Sequence, residues 1–279
     1  MIKIMTDLSA DIAKYEAEEL GIAVLPFYIN CGEESILADI DYTPQMFYEK
    51  FKASEEPPRT SQATPEILEN MYRELGKDEP IIHITIPANS SGIVNTARMF
   101  STQLNEEEGF DITVIDSSMY SYGIGANVVK AAEMAKSGAS KDEICAFLRE
   151  RFEKDKVYFI VDDLSHLKRG GRIKATTMVI SEVLDIKPIL WSNDGMVEAF
   201  AKVRGLKKAI SKIVDIVEEN IAEGANVCVL HADAADSAET MKKLIENRIG
   251  EGRVYIREVG PIITCHAGVG VFGLYFEHK

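Results

Sequence analysis

A chain of 279 residues, 46% apolar and 27% charged, exceeds the usual single-domain length of about 100–200 residues and has ample material for more than one core. Forty-five acidic residues against 31 basic ones leave a net charge of −14, which argues against a nucleic-acid partner and against unfocused attraction to anionic bilayers. No stretch reaches the ~18 apolar residues of a membrane span, so an integral membrane protein is not expected.

The first seven residues run straight into a strand–turn pattern with no signal-peptide core before it. Cys31, Cys145, Cys228 and Cys265 are scattered, without Cys-x-x-Cys spacing, so a cytoplasmic protein with reduced thiols and no zinc site is expected. Residues 2–5 read as a strand ending in Thr6-Asp7. A helix is predicted over about 9–20, stopped by Gly21, and residues 22–28 read as one strand. Thr43-Pro44 and Thr64-Pro65 each look like an N-cap followed by proline at the first helical position. A strand over 81–86, a helix from about Ser91 to Leu104, a strand over 112–115 and a small-residue helix through 126–135 come next. Ser140-Lys141-Asp142-Glu143 is a capping box opening a helix to about Glu153.

Strands separated by helices imply parallel βαβ units and a sheet covered on both faces. Ligands in such sheets gather at the carboxyl ends of strands, which singles out Thr6-Asp7, Ser90-Ser91-Gly92 and Asp116-Ser117-Ser118. Beyond Asp155 the texture changes. A strand over 157–161 leads to a basic, glycine-containing loop over 165–172. Strands over 186–191 and 196–203 flank Asn193-Asp194-Gly195, a tight hairpin turn. Helices over about 206–220 and 237–249, the second opened by Asp236 with Glu239 three residues on, enclose a strand over 227–231, and strands over 254–258 and 269–276 complete the pattern. The expectation is an α/β domain with a mainly parallel sheet, residues 1–155, and an α+β domain with a hairpin-bearing sheet, residues 156–279.

The usual catalytic signatures are missing: no Walker A loop, no H-E-x-x-H, no G-x-S-x-G elbow. Gly123-Ile124-Gly125 follows a strand but lacks the third glycine of a dinucleotide fingerprint. Four polar segments remain. Arg59-Thr60-Ser61-Gln62 precedes a helix N-cap, and Ser90-Ser91-Gly92 opens a helix after a strand, where hydroxyls, N–H groups and the helix dipole favour an anion. In Lys168-Arg169-Gly170-Gly171-Arg172 two glycines free the backbone to bring an arginine fork to an oxyanion. The last is Gly260-Pro261 with His266-Ala267-Gly268-Val269-Gly270. Taken singly, the first two are equally turn and capping chemistry, the third a solvated turn and the fourth a structural histidine.

Taken together and in order, these segments resemble the DegV family of bacterial fatty-acid-binding proteins. Thr6-Asp7 is similar to the family's opening T-D-S, Thr60-Ser61-Gln62 to its T-S-Q-P, Ser91-Gly92 to the start of S-G-T-Y-Q, and Asp116-Ser117 to its D-S. Gly170-Gly171-Arg172-Ile173 resembles G-G-R-I, Ile186-Lys187-Pro188-Ile189-Leu190 resembles I-K-P-I-L, Lys202-Val203-Arg204 resembles K-V-R, and the tail with His266, Gly268 and Gly270 resembles G-P…H-x-G-P-G. Eight motifs in register across both halves are specific where one is weak.

The resemblance implies a two-domain fold with a buried acyl chain and no cofactor. Its carboxylate would be held by Thr60 and Ser91, with Ser61 and Gly92 beside them and Arg172 and His266 in support. It further implies a non-catalytic role, since some members present the fatty acid to a separate ATP-using kinase subunit that makes the acyl phosphate. The lack of a phosphate loop here agrees with that division. Lys202, Arg204, Lys207 and Lys208 then read either as a docking patch for the kinase or as a solvated helix start. Leu8, Ala63, Ile93-Val94-Asn95 and Val269 depart from the family pattern, and none of them is a carboxylate ligand. Two other readings stay open: a free-standing serine enzyme with Ser91 or Ser61 as nucleophile and His266 as base, and a small-ligand sensor binding at the strand ends.

Overall fold

A computed structural model describes residues 1–161, 163–178 and 186–279. The first half runs β1 (Lys3–Asp7), a 3-10 turn (Leu8–Ala10), α1 (Lys14–Leu20), β2 (Ala23–Leu25), β3 (Phe27–Cys31), β4 (Glu34–Ala38), α2 (Pro44–Ala53), β5 (Arg59–Ser61), α3 (Pro65–Leu75), β6 (Ile81–Thr85), α4 (Ile93–Glu108), β7 (Ile112–Asp116), α5 (Tyr122–Lys136) and α6 (Lys141–Lys154). Strands pair in the order β2-β1-β6-β7, all parallel, as the alternation of elements predicts. Every residue of β6 is buried, as expected for an inner strand covered on both faces.

Three local expectations fail, each for a physical reason. The helix predicted over 9–20 begins only at Lys14, because Asp7 accepts from Ser9 N (3.0 Å) to cap a 3-10 turn, and Asp11 then adopts the left-handed conformation at φ 52°. The strand predicted over 22–28 is split by Pro26, which has no N–H to give a ladder. Upstream of it β2 stays in the parallel sheet; downstream β3 turns away into a separate antiparallel sheet, β4-β3-β5, that sequence patterning did not reveal. The helix predicted from Ser91 starts at Ile93, with Gly92 as an N-cap that offers no side chain. The proline-led starts of α2 and α3 are as read, with Thr43 and Thr64 accepting from Met46 N and Ile67 N, and so is the Ser140–Glu143 box.

The second half runs β8 (Lys156–Ile160), α7 (Ser165–Gly170), α8 (Ala175–Met178), β9 (Ile186–Asn193), β10 (Met196–Arg204), α9 (Leu206–Asn220), β11 (Val227–His231), α10 (Ala235–Ile249), β12 (Val254–Glu258), α11 (Pro261–Ala267) and β13 (Phe272–Phe276). Its strands form a mixed sheet in the order β10-β9-β8-β13-β11-β12. The hairpin turns at Asp194 (φ 50°) and Gly195 (φ 69°), both left-handed as a two-residue turn of this kind demands. The basic segment at 165–172 is not a loop but helix α7, closed by Gly171 at φ 71°. Residues 261–267 form α11, which was not predicted, and the last strand consequently starts at Phe272. Helix α10 begins at Ala235 with no side-chain cap, so Asp236 lies in its first turn instead of capping it.

One apolar cluster runs from the parallel sheet (Ile4, Ile82) through α5 (Ile124, Val128) to the mixed sheet (Val157, Leu230, Tyr275). A second, built on Ile213, Val217, Val229, Met241 and Phe276, packs α9 and α10 on the mixed sheet. The glycines of α5 explain the close approach at the join. A Cβ on Gly123 would lie 2.5 Å from Val157 Cγ2, and one on Gly125 would lie 2.3 Å from the Ala10 carbonyl. Gly123-Ile124-Gly125 is therefore a packing surface for a helix pressed on both sides.

Candidate functional site

The carboxyl ends of the parallel strands build a loop before they build a site. The carboxylate of Asp7, ending β1, accepts from Ile86 N (2.8 Å), and that of Asp116, ending β7, accepts from Ala88 N (3.1 Å) and Ser118 N (2.9 Å). Two side chains thus clamp the segment that leaves β6 between them. Burial pushes the Asp7 carboxyl up, partly offset by its bonds from Ser9 and Ile86. The clamped segment delivers Ser90, Ser91 and Gly92. Ser90 turns to the hairpin: its hydroxyl lies 2.8 Å from Tyr120 Oη and donates to the Gly195 carbonyl (3.0 Å), which also accepts from Tyr120 (2.6 Å). Ser91 stays half-buried, its hydroxyl accepting only a long bond from Ile93 N (3.4 Å).

The opposite wall comes from β5 and α11. Thr60 of β5 places Oγ1 2.9 Å from Nε2 of His266. Alternation along the strand sends the next side chain the other way: Ser61 is exposed and accepts from Asn30 Nδ2 (3.0 Å). Burial, reinforced by the Arg172 charge, lowers the His266 pKa to about 4, so the imidazole is neutral near pH 7 and presents one donor and one acceptor. Arg172 spans the two walls, donating through Nε to the Ser90 carbonyl (3.0 Å) and through Nη1 to the Gly170 carbonyl. Those bonds engage two of the five guanidinium donors and fix its plane. Gln62 completes the rim, donating to Thr96 Oγ1 (3.1 Å).

Thr60, Gln62, Ser91, Gly92, Arg172 and His266 border one cavity. Apart from Ser90, Tyr120 and Ser121, the rest of its lining is hydrocarbon, glycine included, with Phe27, Val157, Phe159, Leu230, Ile262 and Val271 prominent. Its empty volume is about 1010 Å³, a figure that includes the open space at the mouth. Five of the six residues that the sequence singled out around a carboxylate therefore meet at this cavity, and Ser61 falls outside its lining. Lys202 and Arg204 on β10 and Lys207 and Lys208 on α9 are exposed and are not part of the lining. Tyr120 and Ser121 were missed; no motif marks them, and only the fold brings them to the wall. His266 engages Thr60, and among the described residues no hydrogen bond joins it to Ser91 or Ser61.

Gly170 is close-fitted to this arrangement, since a Cβ there would lie 2.6 Å from His266 Nδ1, on a ring that cannot fold aside. Gly170→Ala is expected to displace the imidazole from Thr60 and to weaken ligand binding about as much as removing the His266 side chain. A displacement titration comparing Gly170→Ala with His266→Ala checks this; wild-type affinity in Gly170→Ala would contradict the fit.

Among the described residues no group of three or more His, Cys, Asp or Glu could hold a metal ion, and no helix is long and apolar enough to cross a membrane. The sequence model of the DegV family, described as uncharacterised proteins, matches residues 1–279. A DegV domain-containing protein of Halalkalibacterium halodurans is 33% identical over 277 residues, 98% of this chain and 97% of that one. The fold is similar to that of DegV from Bacillus subtilis, described as a fatty acid binding protein: TM-score 0.88, 30% identity, 100% and 99% of the two chains covered. It is also similar to a fatty acid binding DegV family protein of Streptococcus agalactiae, with TM-score 0.90, 27% identity and the same coverage.

Proposed function

The chain belongs to the DegV family, and from that premise we propose that it binds a long-chain fatty acid, tail in the apolar cavity and carboxylate at the rim formed by Thr60, Ser91, Gly92, Arg172 and His266. The observation that carries this reading is one cavity lined by hydrocarbon in its interior and bordered by Thr60 bonded to His266 and by Arg172 bonded to the Ser90 carbonyl. At ~0.8 kcal/mol per buried methylene, roughly fourteen methylenes contribute on the order of 11 kcal/mol before the costs of association. The tail supplies affinity and the rim fixes orientation. Ser61, on the outer face of β5, supports Thr60 through the strand and does not reach the carboxylate itself.

The same reading assigns activation of the carboxylate to a separate ATP-using kinase, since this sequence has no phosphate loop. Lys202, Arg204, Lys207 and Lys208 gather four exposed cations at the edge strand and the start of α9 on an otherwise acidic protein, a fitting surface for an acidic partner. The two halves, residues 1–155 and 156–279, would act as two domains with the acyl chain enclosed where they join.

Native mass spectrometry of the purified protein with lipid extraction tests the function. Fatty acid in near-stoichiometric amount is expected; a ligand-free protein that hydrolyses acyl esters would overturn the reading. For the rim, Thr60→Ala and Ser91→Ala are each expected to weaken binding by roughly ten- to hundredfold, the worth of one hydrogen bond to a charged group, without a change in thermal midpoint beyond a few degrees. Unchanged affinity in both would remove the carboxylate from this end of the cavity.

A further inference from the structure

A second polar node lies on the far side of the cavity wall from the rim. Asp11 follows the 3-10 turn in a left-handed conformation, φ 52°, and its Oδ2 accepts from the hydroxyl of Ser121. Ser121 itself lines the cavity and holds φ 55°, ψ −145°, a conformation that is costly for any residue but glycine and persists only where the surroundings impose it. The other oxygen, Oδ1, is buried, reaches no partner in full hydrogen-bond geometry, and lies against Gly260, where a Cβ would come within 2.3 Å of it. Gly260 is the residue from which α11 starts. Asp11 therefore stands where three segments meet: the turn after β1, the start of α5, and the start of the helix whose Ile262, Ile263 and His266 line the cavity.

Resting on the reading of the cavity as a fatty-acid site, we propose that Asp11 is a positioning residue: its carboxylate holds Ser121 through Oδ2 and packs against Gly260 through Oδ1, and so keeps α11 with His266 in reach of Thr60. The charged groups around it are few. Asp7 at the end of β1 opposes its ionisation and Arg257 of β12 favours it. Arg257 is itself paired with Glu16 of α1 (2.8 Å) and lies over the Tyr122 ring (3.9 Å). Lys14, Glu258 and Tyr255 border the groove outside. Burial outweighs the favourable partners and raises the Asp11 pKa to about 7, so the tie carries its full charge only above neutrality.

The test compares wild type with Asp11→Asn and Ser121→Ala. In ligand-free protein, the imidazole of His266 is followed by side-chain nitrogen NMR against pH. Release of α11 lets water reach the ring, so both variants should titrate His266 at higher pH than wild type. In displacement titrations with stearate, Asp11→Asn should bind on the order of tenfold more weakly than wild type at pH 8.5, within the usual range of coupling between sites. That ratio should close toward one at pH 5.5, where wild-type Asp11 is itself neutral; a purely structural defect would leave it independent of pH. His266 titrating as in wild type in both variants overturns the tie. If wild type binds no stearate, the fatty-acid reading fails separately, and the ligand-free His266 titration still decides the role of Asp11. Should Asp11→Asn not fold, Ser121→Ala carries the same NMR comparison.

Discussion

Replacing Arg172 by alanine is expected to raise the dissociation constant for a long-chain fatty acid at least about thirtyfold. Two effects act together. Among the described residues the guanidinium is the only cationic side chain in the lining of the cavity, and truncating one partner of a buried, hydrogen-bonded charge pair costs roughly 2–5 kcal/mol, or about thirty- to several-thousand-fold in affinity. It also braces the rim, since its bonds to the Ser90 and Gly170 carbonyls join the segment carrying Ser91 to the helix packed on His266. Arg172→Lys keeps the charge but loses the planar fork, which cannot bond both carbonyls and still face a carboxylate; it should recover no more than about tenfold. Displacement of a fluorescent fatty acid, with thermal melting to establish folding, measures both variants. An Arg172→Ala protein that melts like wild type and binds within threefold of it would take the carboxylate away from Arg172.

How much of this arrangement the sequence discloses depends on how local each determinant is. The parallel pairing of the first sheet, the proline-led helix starts and the Asn193-Asp194-Gly195 hairpin turn are written in short patterns and are found as read. The small sheet of β3, β4 and β5 is not, because β5 has three residues and pairs with a strand thirty residues away across a helix. That sheet decides the site, for it sets Thr60 inward and Ser61 outward, a distinction that adjacency in sequence cannot make. Helix α11 escaped notice because seven residues with proline first and glycine after are too short for a period to register. Asp7 and Asp116 were noticed for the right location and the wrong duty, since strand-end carboxylates can bind a ligand or a backbone, and here they hold the amides of Ile86 and Ala88. Fitting ligand to residues required the family motifs; fitting residues to each other required the fold.

Below pH 6.5 acid should draw stability away through His83, in the opposite direction to the buried carboxyl of Asp11. His83 lies in the fully buried strand β6, with Nδ1 2.7 Å from Tyr72 Oη and Nε2 buried without a partner among the described residues. Burial lowers its pKa to about 3 from the model-peptide value of 6.5. The unfolded chain takes up a proton near pH 6.5 that the folded chain does not accept until about pH 3, so the unfolded state binds more protons throughout that window. Stability is therefore present in full above pH 6.5 and is lost as the pH falls, at about 1.4 kcal/mol per pH unit for one such histidine. Between pH 6.5 and 4.5 that is roughly 2.5 kcal/mol, a large share of a typical total of about 5–15 kcal/mol. His266, lowered to about 4, acts in the same direction, whereas Asp11, raised to about 7, acts in the opposite one because the folded chain takes up that proton before the unfolded chain does. In urea unfolding at pH 7.5, 5.5 and 4.5, wild type should lose about 1.4 kcal/mol more per pH unit below pH 6.5 than His83→Gln, whose amide can still meet Tyr72 but does not titrate. Parallel losses in the two proteins would remove His83 as the cause. A bound fatty acid separates the contribution of His266, because a carboxylate beside that ring favours its protonated form. Saturating ligand should flatten the acid limb of His83→Gln further while leaving the contribution of His83 in wild type untouched.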